Sequence, residues 1–362
     1  MKYAYPFLLA GLLASEATAV LPNDILKDVG VYTVLESDTY SDAAPIEQML
    51  HDLEGAPVRS GDFAYTHNQL EVGVSRGDWA AAVFVRYDYF VEFNDDTVAL
   101  AYLKKNNATA RGEAHYDIDL SANHLRSRGL ATAYRFSVHN DWTGQVKVSY
   151  VEAWETTYGE LSGSVITRDD DFSADLYLDY SYTEDTFLNR PREQVDGKGA
   201  TLDLELQWQV NDKLQFGFSS RDLLSLIRFD DVTYTRAVAT TNRISYDENG
   251  RLRSVPALSG EERYRNEIQR FPRRVTLSAG YQYWSQWRLR GELFAIDRYL
   301  FPRLGLERDL ALGNLHLDYD LEAKAIGVAL RKHWYAIQLR TDHTNWDEMD
   351  KLEFSLQFNW RL

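Results

Sequence analysis

The sequence predicts an all-β protein, an antiparallel β-barrel that crosses a membrane, and three observations carry that expectation. The last eleven residues, Leu352 to Leu362, alternate without a break. Leu352, Phe354, Leu356, Phe358, Trp360 and Leu362 take one face, and Glu353, Ser355, Gln357, Asn359 and Arg361 the other. That is the period of a β-strand, and a spanning strand needs roughly 9–11 residues. The same alternation recurs along most of the chain. No apolar run after the first residues approaches the roughly 20 that a transmembrane helix needs. A closed barrel is the other way to satisfy every backbone polar group in lipid.

The amino terminus is expected to be an export signal. Lys2 precedes the short apolar run Phe7–Ala14, and Ala17-Thr18-Ala19 supplies a small-x-small cleavage pattern, so residues 1–19 are taken as a signal peptide. Residues 20–60 are expected to form an N-terminal periplasmic or plug segment, and 61–362 the barrel. Within the former, Ile46, Met49, Leu50 and Leu53 share a helical face, with Pro45 suited to the first turn and Gly55 to the residue past the end. A second helix is expected from Asp96 to about Lys105, capped by Asp95 or Asp96 and closed by Lys104 and Lys105.

Wall strands are expected around Leu70–Val74, Trp79–Phe93, Ala114–Leu120, Leu130–Val138, Val146–Tyr150, Leu161–Val165, Phe172–Tyr182 and Ala200–Val210. They continue at Leu214–Phe218, Val275–Tyr283, Trp287–Ala295, Leu315–Tyr319, Ile326–Leu330, Tyr335–Thr341 and the C-terminal segment. An even total requires one more, near Tyr299–Asp309. The expectation is about 16 strands, with 14 the main alternative and 18 if Val232–Glu262 enters the wall. Asn249-Gly250 within that last segment is a hairpin signal. Its flanks are polar, so it either stands above the barrel or folds into the lumen as a constriction. Short turns are expected at Arg76-Gly77-Asp78, Asn211-Asp212 and Trp284-Ser285-Gln286.

Composition excludes several classes. There is no cysteine, which argues against a small disulfide-stapled secreted fold. A formal net charge of −16 makes nucleic acid an unsuitable partner. No His-x-x-x-His spacing occurs, and no enzyme activity, metal or cofactor is expected. Asp342-His343, with Asp347 nearby, is the one pairing that invites a catalytic reading. The 23 Tyr, 16 Phe and 9 Trp suit membrane-interface girdles. By parity Trp208, Phe216, Tyr281, Trp287 and Trp360 face outward, and Phe84, Phe90, Tyr177 and Phe294 inward.

The polar faces are expected to line the lumen. They bring Arg86, Asp88, Glu92, Asp117, Asp119, Arg135, Asp175, Asp179, Asp203 and Glu205 inward. Arg221, Arg288, Arg290, Glu292, Arg340, Glu353 and Arg361 join them. Such a set makes either a structural salt-bridge ladder or a charged eyelet that selects solutes by sign. Arg263, Arg265, Arg270, Arg273 and Arg274 are expected to form a loop site for an anion such as lipopolysaccharide.

The signal peptide, the repeated amphipathic strands and the terminal Phe358-x-Trp360-x-Leu362 together resemble Gram-negative outer-membrane β-barrel proteins. The resemblance implies an outer-membrane location, contact with lipid and lipopolysaccharide, delivery by the barrel-assembly machinery, and a periplasmic partner of unknown identity at most. Two functions fit: a porin-like channel for small hydrophilic or anionic solutes, or a non-conducting barrel that binds a partner, for instance in surface-polymer export.

Overall fold

The computed structural model describes residues 29–108, 112–138, 141–168, 171–184, 195–241, 245–246, 252–253 and 258–361. The expected signal peptide, and the start of the expected N-terminal segment, lie outside them. The strands are β1 (Val29–Ser41), β2 (Phe63–Arg76), β3 (Trp79–Phe93), β4 (Glu113–Val138), β5 (Trp142–Arg168) and β6 (Asp171–Tyr182). They continue as β7 (Gly197–Gln209), β8 (Leu214–Thr240), β9 (Ser245–Tyr246), β10 (Leu252–Arg253), β11 (Leu258–Gln269) and β12 (Arg274–Trp284). The last six are β13 (Trp287–Ile296), β14 (Tyr299–Leu310), β15 (Gly313–Asp320), β16 (Ala325–Lys332), β17 (Tyr335–Thr341) and β18 (Lys351–Arg361). Helix α1 is Ile46–Leu50 and α2 is Asp95–Lys105.

Fourteen of these strands form a closed antiparallel ring, and two more of the same sheet, β6 and β11, lie outside it. The ring runs β1-β2-β3-β4-β5-β7-β8-β12 and on through β13 to β18, which pairs back onto β1 from Gly30↔Arg361 to Tyr40↔Lys351. The alternative count of 14 therefore describes the wall, not 16. Two expected pairs of strands are single long ones. Ala114–Leu120 and Leu130–Val138 are both β4, and Val146–Tyr150 and Leu161–Val165 are both β5. In β4 the polar stretch Ser121–Ser127 interrupts the apolar alternation. In β5 Trp154 has no ladder partner where Arg126 pairs with Glu155 and Ser127 with Ala153, a bulge that reverses parity along β5. The strand sought near Tyr299–Asp309 is present as β14.

The wall also begins earlier than expected. Residues 29–41, assigned by sequence to a periplasmic or plug segment, are β1, the strand with which the terminal strand pairs to close the ring. Helix α1 lies between β1 and β2, inside the wall sequence rather than ahead of it. For α2 the capping residue is Asn94, whose side chain accepts from the Thr97 N–H at 2.9 Å, one position ahead of the aspartates proposed.

The two ends of the barrel differ. At one end every connection is short: Gly77-Asp78, Ser285-Gln286, Ala311-Leu312 and His333-Trp334 each join neighbouring strands. The other end carries α1, α2 and a sheet extension. Strands β4, β5 and β8 are 26, 27 and 27 residues long and rise past the ring. Between the raised parts of β5 and β8 sits β6, and β11 lies on the far edge of β8. The tiny β9–β10 hairpin brackets the Asn249-Gly250 signal, whose own residues lie outside those described. At this end burial raises the carboxyl of Asp42 above the usual carboxylate range, against the lowering effect of the Asp62 and Phe63 N–H groups that it accepts from.

The outer surface is a continuous apolar belt. Val72, Val83, Val85, Leu130, Val148, Leu277, Leu289, Leu304, Leu317, Ile326, Val328 and Leu339 are all exposed on it. An aromatic girdle borders it on the short-turn side. Trp79 lies 4.7 Å from Tyr134, Trp142 stacks 5.1 Å from Trp208, and Phe358 stacks 5.5 Å from Trp360. Water would be a poor solvent for such a belt, and it matches the outward band and girdles of a membrane barrel.

Inside, a tightly packed cluster fills part of the barrel near β3 to β8. Phe84, Leu125, Ala131, Val151, Ala153, Ile227, Phe229 and Phe271 form one cluster. Its rings need glycines beneath them: a Cβ on Gly197 would sit 2.5 Å from the Phe229 ring, and one on Gly129 2.5 Å from the Phe84 ring. Gly197→Ala is accordingly expected to destabilise the barrel by about 1–3 kcal/mol through overpacking. The check is the urea midpoint for loss of the compact, heat-modifiable band on a gel.

Candidate functional site: the barrel lumen

The lumen has three layers. Nearest the long connections lies an aromatic layer: Tyr40, Phe63, Tyr65, Phe90, Phe294 and Phe301, with Ile296, Ala323 and Ala325, and Tyr299 packed against them. Phe63 stacks on Tyr299 at 3.5 Å, and Tyr40 meets Phe301 edge-on at 5.2 Å. Only Phe90 and Phe294 of this layer were expected to face inward. Tyr40 comes from β1 and Phe63 and Tyr65 from the start of β2, segments outside the expected wall, and Phe301 and Tyr299 from β14, which was expected as a strand without an assigned parity.

Beneath it lies a deck of buried ion pairs. At its centre the Arg86 guanidinium donates through Nε to Asp88 at 2.5 Å, and through Nη1 and Nη2 to both oxygens of Asp222 at 2.9 and 2.7 Å. Asp88 belongs to the same strand as Arg86, but Asp222 is on β8, across the lumen. Asp222 is 2% exposed and Arg86 6%. His67 Nδ1 lies 2.8 Å from the other Asp88 oxygen. Two further pairs tie separate strands together: Arg221 of β8 grips Glu36 of β1, and Lys351 of β18 meets Asp38 of β1. Arg303 reaches Asp320 and Glu292, each at 2.9 Å, and Arg340 binds Asp318 and Glu353. Aromatic rings cap several of these cations. Arg86 lies 3.7 Å from the Phe271 ring centre, Arg303 4.7 Å from Phe294, and Lys351 5.0 Å from Tyr65.

Phe271 arrives by a break in the wall. β12 pairs with β8 only as far as Arg274↔Arg221, and β11 resumes the pairing at Gln269↔Ile227. Between them residues 270–273 turn inward. Gln269 anchors the crossing: its Oε1 accepts from Thr156 Oγ1 at 2.7 Å, and its Nε2 donates to Asn123 Oδ1 at 2.8 Å and the His124 carbonyl at 3.1 Å. Asn123 Nδ2 in turn donates to the Arg270 carbonyl at 2.9 Å, and the Phe271 N–H to Ser225 Oγ at 3.0 Å. A segment from one side of the barrel is thus tied to β4 and β5 on the other. The inward fold lies just after Val232–Glu262, the stretch where the sequence raised it.

The third layer is water-accessible space. A cavity of about 470 Å³ is lined by Glu36, Asp38, Arg221, Arg290, Arg331 and Glu353 among others. It meets a second of about 350 Å³ at Glu36, Glu205, Arg221, Arg274 and Gln357. A third of about 520 Å³ continues past Arg135 and Asn359 to Gly77, Asp78 and His333, which belong to the short turns. The vestibule therefore opens toward the short-turn end and stops at the deck.

The expected site residues divide accordingly. Arg86 and Asp88 are in the deck, while Glu92 stands near its upper rim, where Arg298 approaches it at 2.9 Å. Arg135, Asp203, Glu205, Arg221, Arg290, Glu292, Arg340 and Glu353 line the vestibule. Arg288 faces a smaller side cavity and contacts Glu307 at 3.2 Å. Four others are corrected: Asp117 and Asp119 lie on the raised part of β4, and Asp175 and Asp179 on β6, so all four sit outside the ring. Their segments rise past the ring, where β5 has left β7 at Ala153 and pairs with β6 from Thr157 onward. The side chain of Arg361 lies outside the description.

The five arginines of the proposed loop site do not form one cluster. Arg263 pairs with Glu261 at 3.1 Å, and Arg265 with Asp179 at 2.6 Å and Glu267 at 2.8 Å. Arg270 and Arg273 are exposed at the crossing segment, and Arg274 alone is buried inside the lumen. The Asp342-His343 pairing also dissolves. Asp342 accepts from the Asp350 and Lys351 N–H groups, whereas His343 Nε2 approaches Glu348 at 3.3 Å. Sequence reasoning missed Glu36, Asp38, Asp222, Arg303 and Lys351. Only Lys351 had a signal, its place at the start of the terminal strand.

Neither a protein family model nor any curated protein matches the chain. Among solved structures it is similar to the toluene transporter TbuX of Ralstonia pickettii, with a TM-score of 0.43, 10% identity, and 93% of this chain and 90% of that one covered. The P. putida toluene transporter TodX gives 0.44, 12%, 94% and 91%. A Pseudomonas aeruginosa FadL homologue gives 0.26, 13%, 92% and 90%. At these scores the likeness assigns no solute.

The deck makes a quantitative expectation. Asp222→Ala leaves the buried Arg86 with Asp88 as its remaining carboxylate and is expected to cost up to about 3–5 kcal/mol, as loss of one partner of a buried pair does. Asp230→Ala breaks an exposed pair with Arg228 and should cost under about 1 kcal/mol. Equilibrium urea unfolding of the two variants in one detergent decides it.

Proposed function

We propose that the protein is an outer-membrane channel for small hydrophilic solutes, shut in this conformation by the ion-pair deck and the 269–273 crossing. The observation that carries the reading is the vestibule: connected polar cavities that run from the short-turn end to the deck and stop there. In barrels of the outer membrane the short turns face the periplasm and the longer connections the outside, so the vestibule opens inward and the aromatic layer is the outer seal. The apolar belt then meets lipid, and the long-connection end meets lipopolysaccharide. Delivery falls to the barrel-assembly machinery. No catalytic step, metal or cofactor enters this reading.

Opening requires the crossing to move, because Phe271 covers Arg86 and Gln269 holds the segment to β4 and β5. The hydrophobic solutes named for TbuX and TodX suit this lumen less well. They would gain nothing from a vestibule lined by Arg221, Arg274, Arg290, Arg331, Glu36 and Glu205, since apolar solutes are drawn to apolar surface. A second reading, a non-conducting partner-binding barrel, is favoured by one observation, the near-complete burial of the deck.

Planar-bilayer recording separates them. The natural chain is expected to show rare, small openings, and Gln269→Ala with Phe271→Ala to raise open probability at least tenfold while the folded band persists. A folded double variant that stays silent would leave the partner-binding reading.

A further inference from the structure

Two charges at the vestibule floor are left over after the deck is assembled. Arg274 is 8% exposed, and its Nε and Nη2 have no hydrogen-bond partner. Its nearest carboxylate, Asp222, is 3.8 Å away and already holds both terminal nitrogens of Arg86. Directly opposite on the ladder is Arg221, a like charge committed to Glu36. A buried guanidinium with unmet donors is costly, so this position favours an incoming anion. The second leftover is Glu205. It is exposed to the lumen and makes no hydrogen bond or ion pair among the described residues. Both residues line both upper cavities, at the place where the two join.

The ladder fixes their relation. Glu205 of β7 is opposite Ser219 of β8, and Ser219 is opposite Thr276 of β12, two residues from Arg274. With strands about 4.8 Å apart and a rise of about 3.4 Å per residue, the two Cα atoms are about 12 Å apart. That is too far for the pair to close on itself in the observed rotamers, and close enough for a small molecule to touch both. Between them the lining holds Ser219, Thr276 and Gln357, which are polar and uncharged, and the Arg221–Glu36 pair, whose charges are matched to each other.

We propose that this junction binds a small zwitterion of the amino-acid type, its carboxylate on Arg274 and its ammonium on Glu205. The proposal rests on the vestibule being a solute path and names the solute class. An anion alone would answer Arg274 and leave Glu205 facing it with like charge. A cation alone would do the reverse. A zwitterion satisfies both and leaves the net charge of the vestibule unchanged.

Titration calorimetry on the full folded chain in detergent tests this without requiring conduction. Alanine is expected to bind at least tenfold more tightly than acetate or methylammonium. Arg274→Gln should weaken alanine at least tenfold, while Glu205→Gln should weaken alanine severalfold and leave acetate unchanged or tighter. Alanine no tighter than acetate, or a folded Arg274→Gln variant that binds alanine like the natural chain, overturns the proposal. Should Arg274→Gln not fold, Arg274→Lys keeps the charge and loses the planar fork. A loss of about fivefold is then expected, and unchanged affinity counts against the site. Alanine binding in a chain that never conducts would sink the channel and keep the site. Conduction without alanine binding would do the opposite.

Discussion

The contact on which the lumen depends is Arg86 held between Asp88 and Asp222. Asp222 sits in the middle of β8 with a φ of 54°, a left-handed conformation that non-glycine residues adopt sparingly. That turn puts extra residues on β8 opposite Asp203, where the β7–β8 register shifts between Leu202 and Leu204, and it aims the carboxylate across the barrel. The Asp222 N–H donates to Asp203 Oδ1 at 2.8 Å, which secures the bulge. On its other edge β8 loses ladder partners from this point to Ile227. The freed residues 270–273 enter the lumen, and Phe271 settles on the guanidinium that created the opening. One ion pair thus accounts for a backbone outlier, a gap in the wall and the segment that fills it.

Ring closure imposes the remaining order. Fourteen strands enclose more space than one layer of side chains fills. The chain fills the β3–β8 side with rings over glycine and alanine, and leaves the β12–β18 side to charged ladders. Charged rows suit that second half because opposite signs meet across neighbouring strands: Arg290 and Arg288 against Glu307, Arg303 against Glu292 and Asp320, Arg340 against Asp318 and Glu353. Each row leaves part of its charge facing water, which keeps the vestibule wet.

The period-2 pattern made most of the wall legible, because in β2, β3, β7 and β12 to β18 one face meets the apolar surroundings and the other the lumen. It failed where geometry reverses parity. The β5 bulge at Trp154 split that strand into two apparent ones, and β1, Val29 to Ser41, carries Thr33, Ser37 and Thr39 on its outward face, so its alternation is faint. The inward charges of regular strands, such as Arg290, Glu292 and Glu353, followed from parity alone. Asp222 could not, because its role depends on leaving the strand conformation. The partners of Arg86 were equally hidden: a contact 136 residues away in sequence has no local signature.

The choice of charge rather than hydrocarbon for the central seal has a mechanical consequence. An apolar plug is held by the exclusion of water, and opening it costs the whole exposed area at once. Buried ion pairs contribute little net stability against an apolar substitute, yet are costly to break singly. A deck of this kind opens most cheaply when each charge is handed to a new partner rather than to nothing. Water reaches one side of this deck, through the vestibule, and aromatic rings cover the other. Any exchange of partners must therefore begin from the vestibule side, at the residues that already border it: Arg221, Arg274 and Glu36. Aromatic rings cap Arg86, Arg303 and Lys351, while Arg86 and Arg303 also border the vestibule cavities, so the asymmetry of the layers sets the direction from which the lumen can be unlocked.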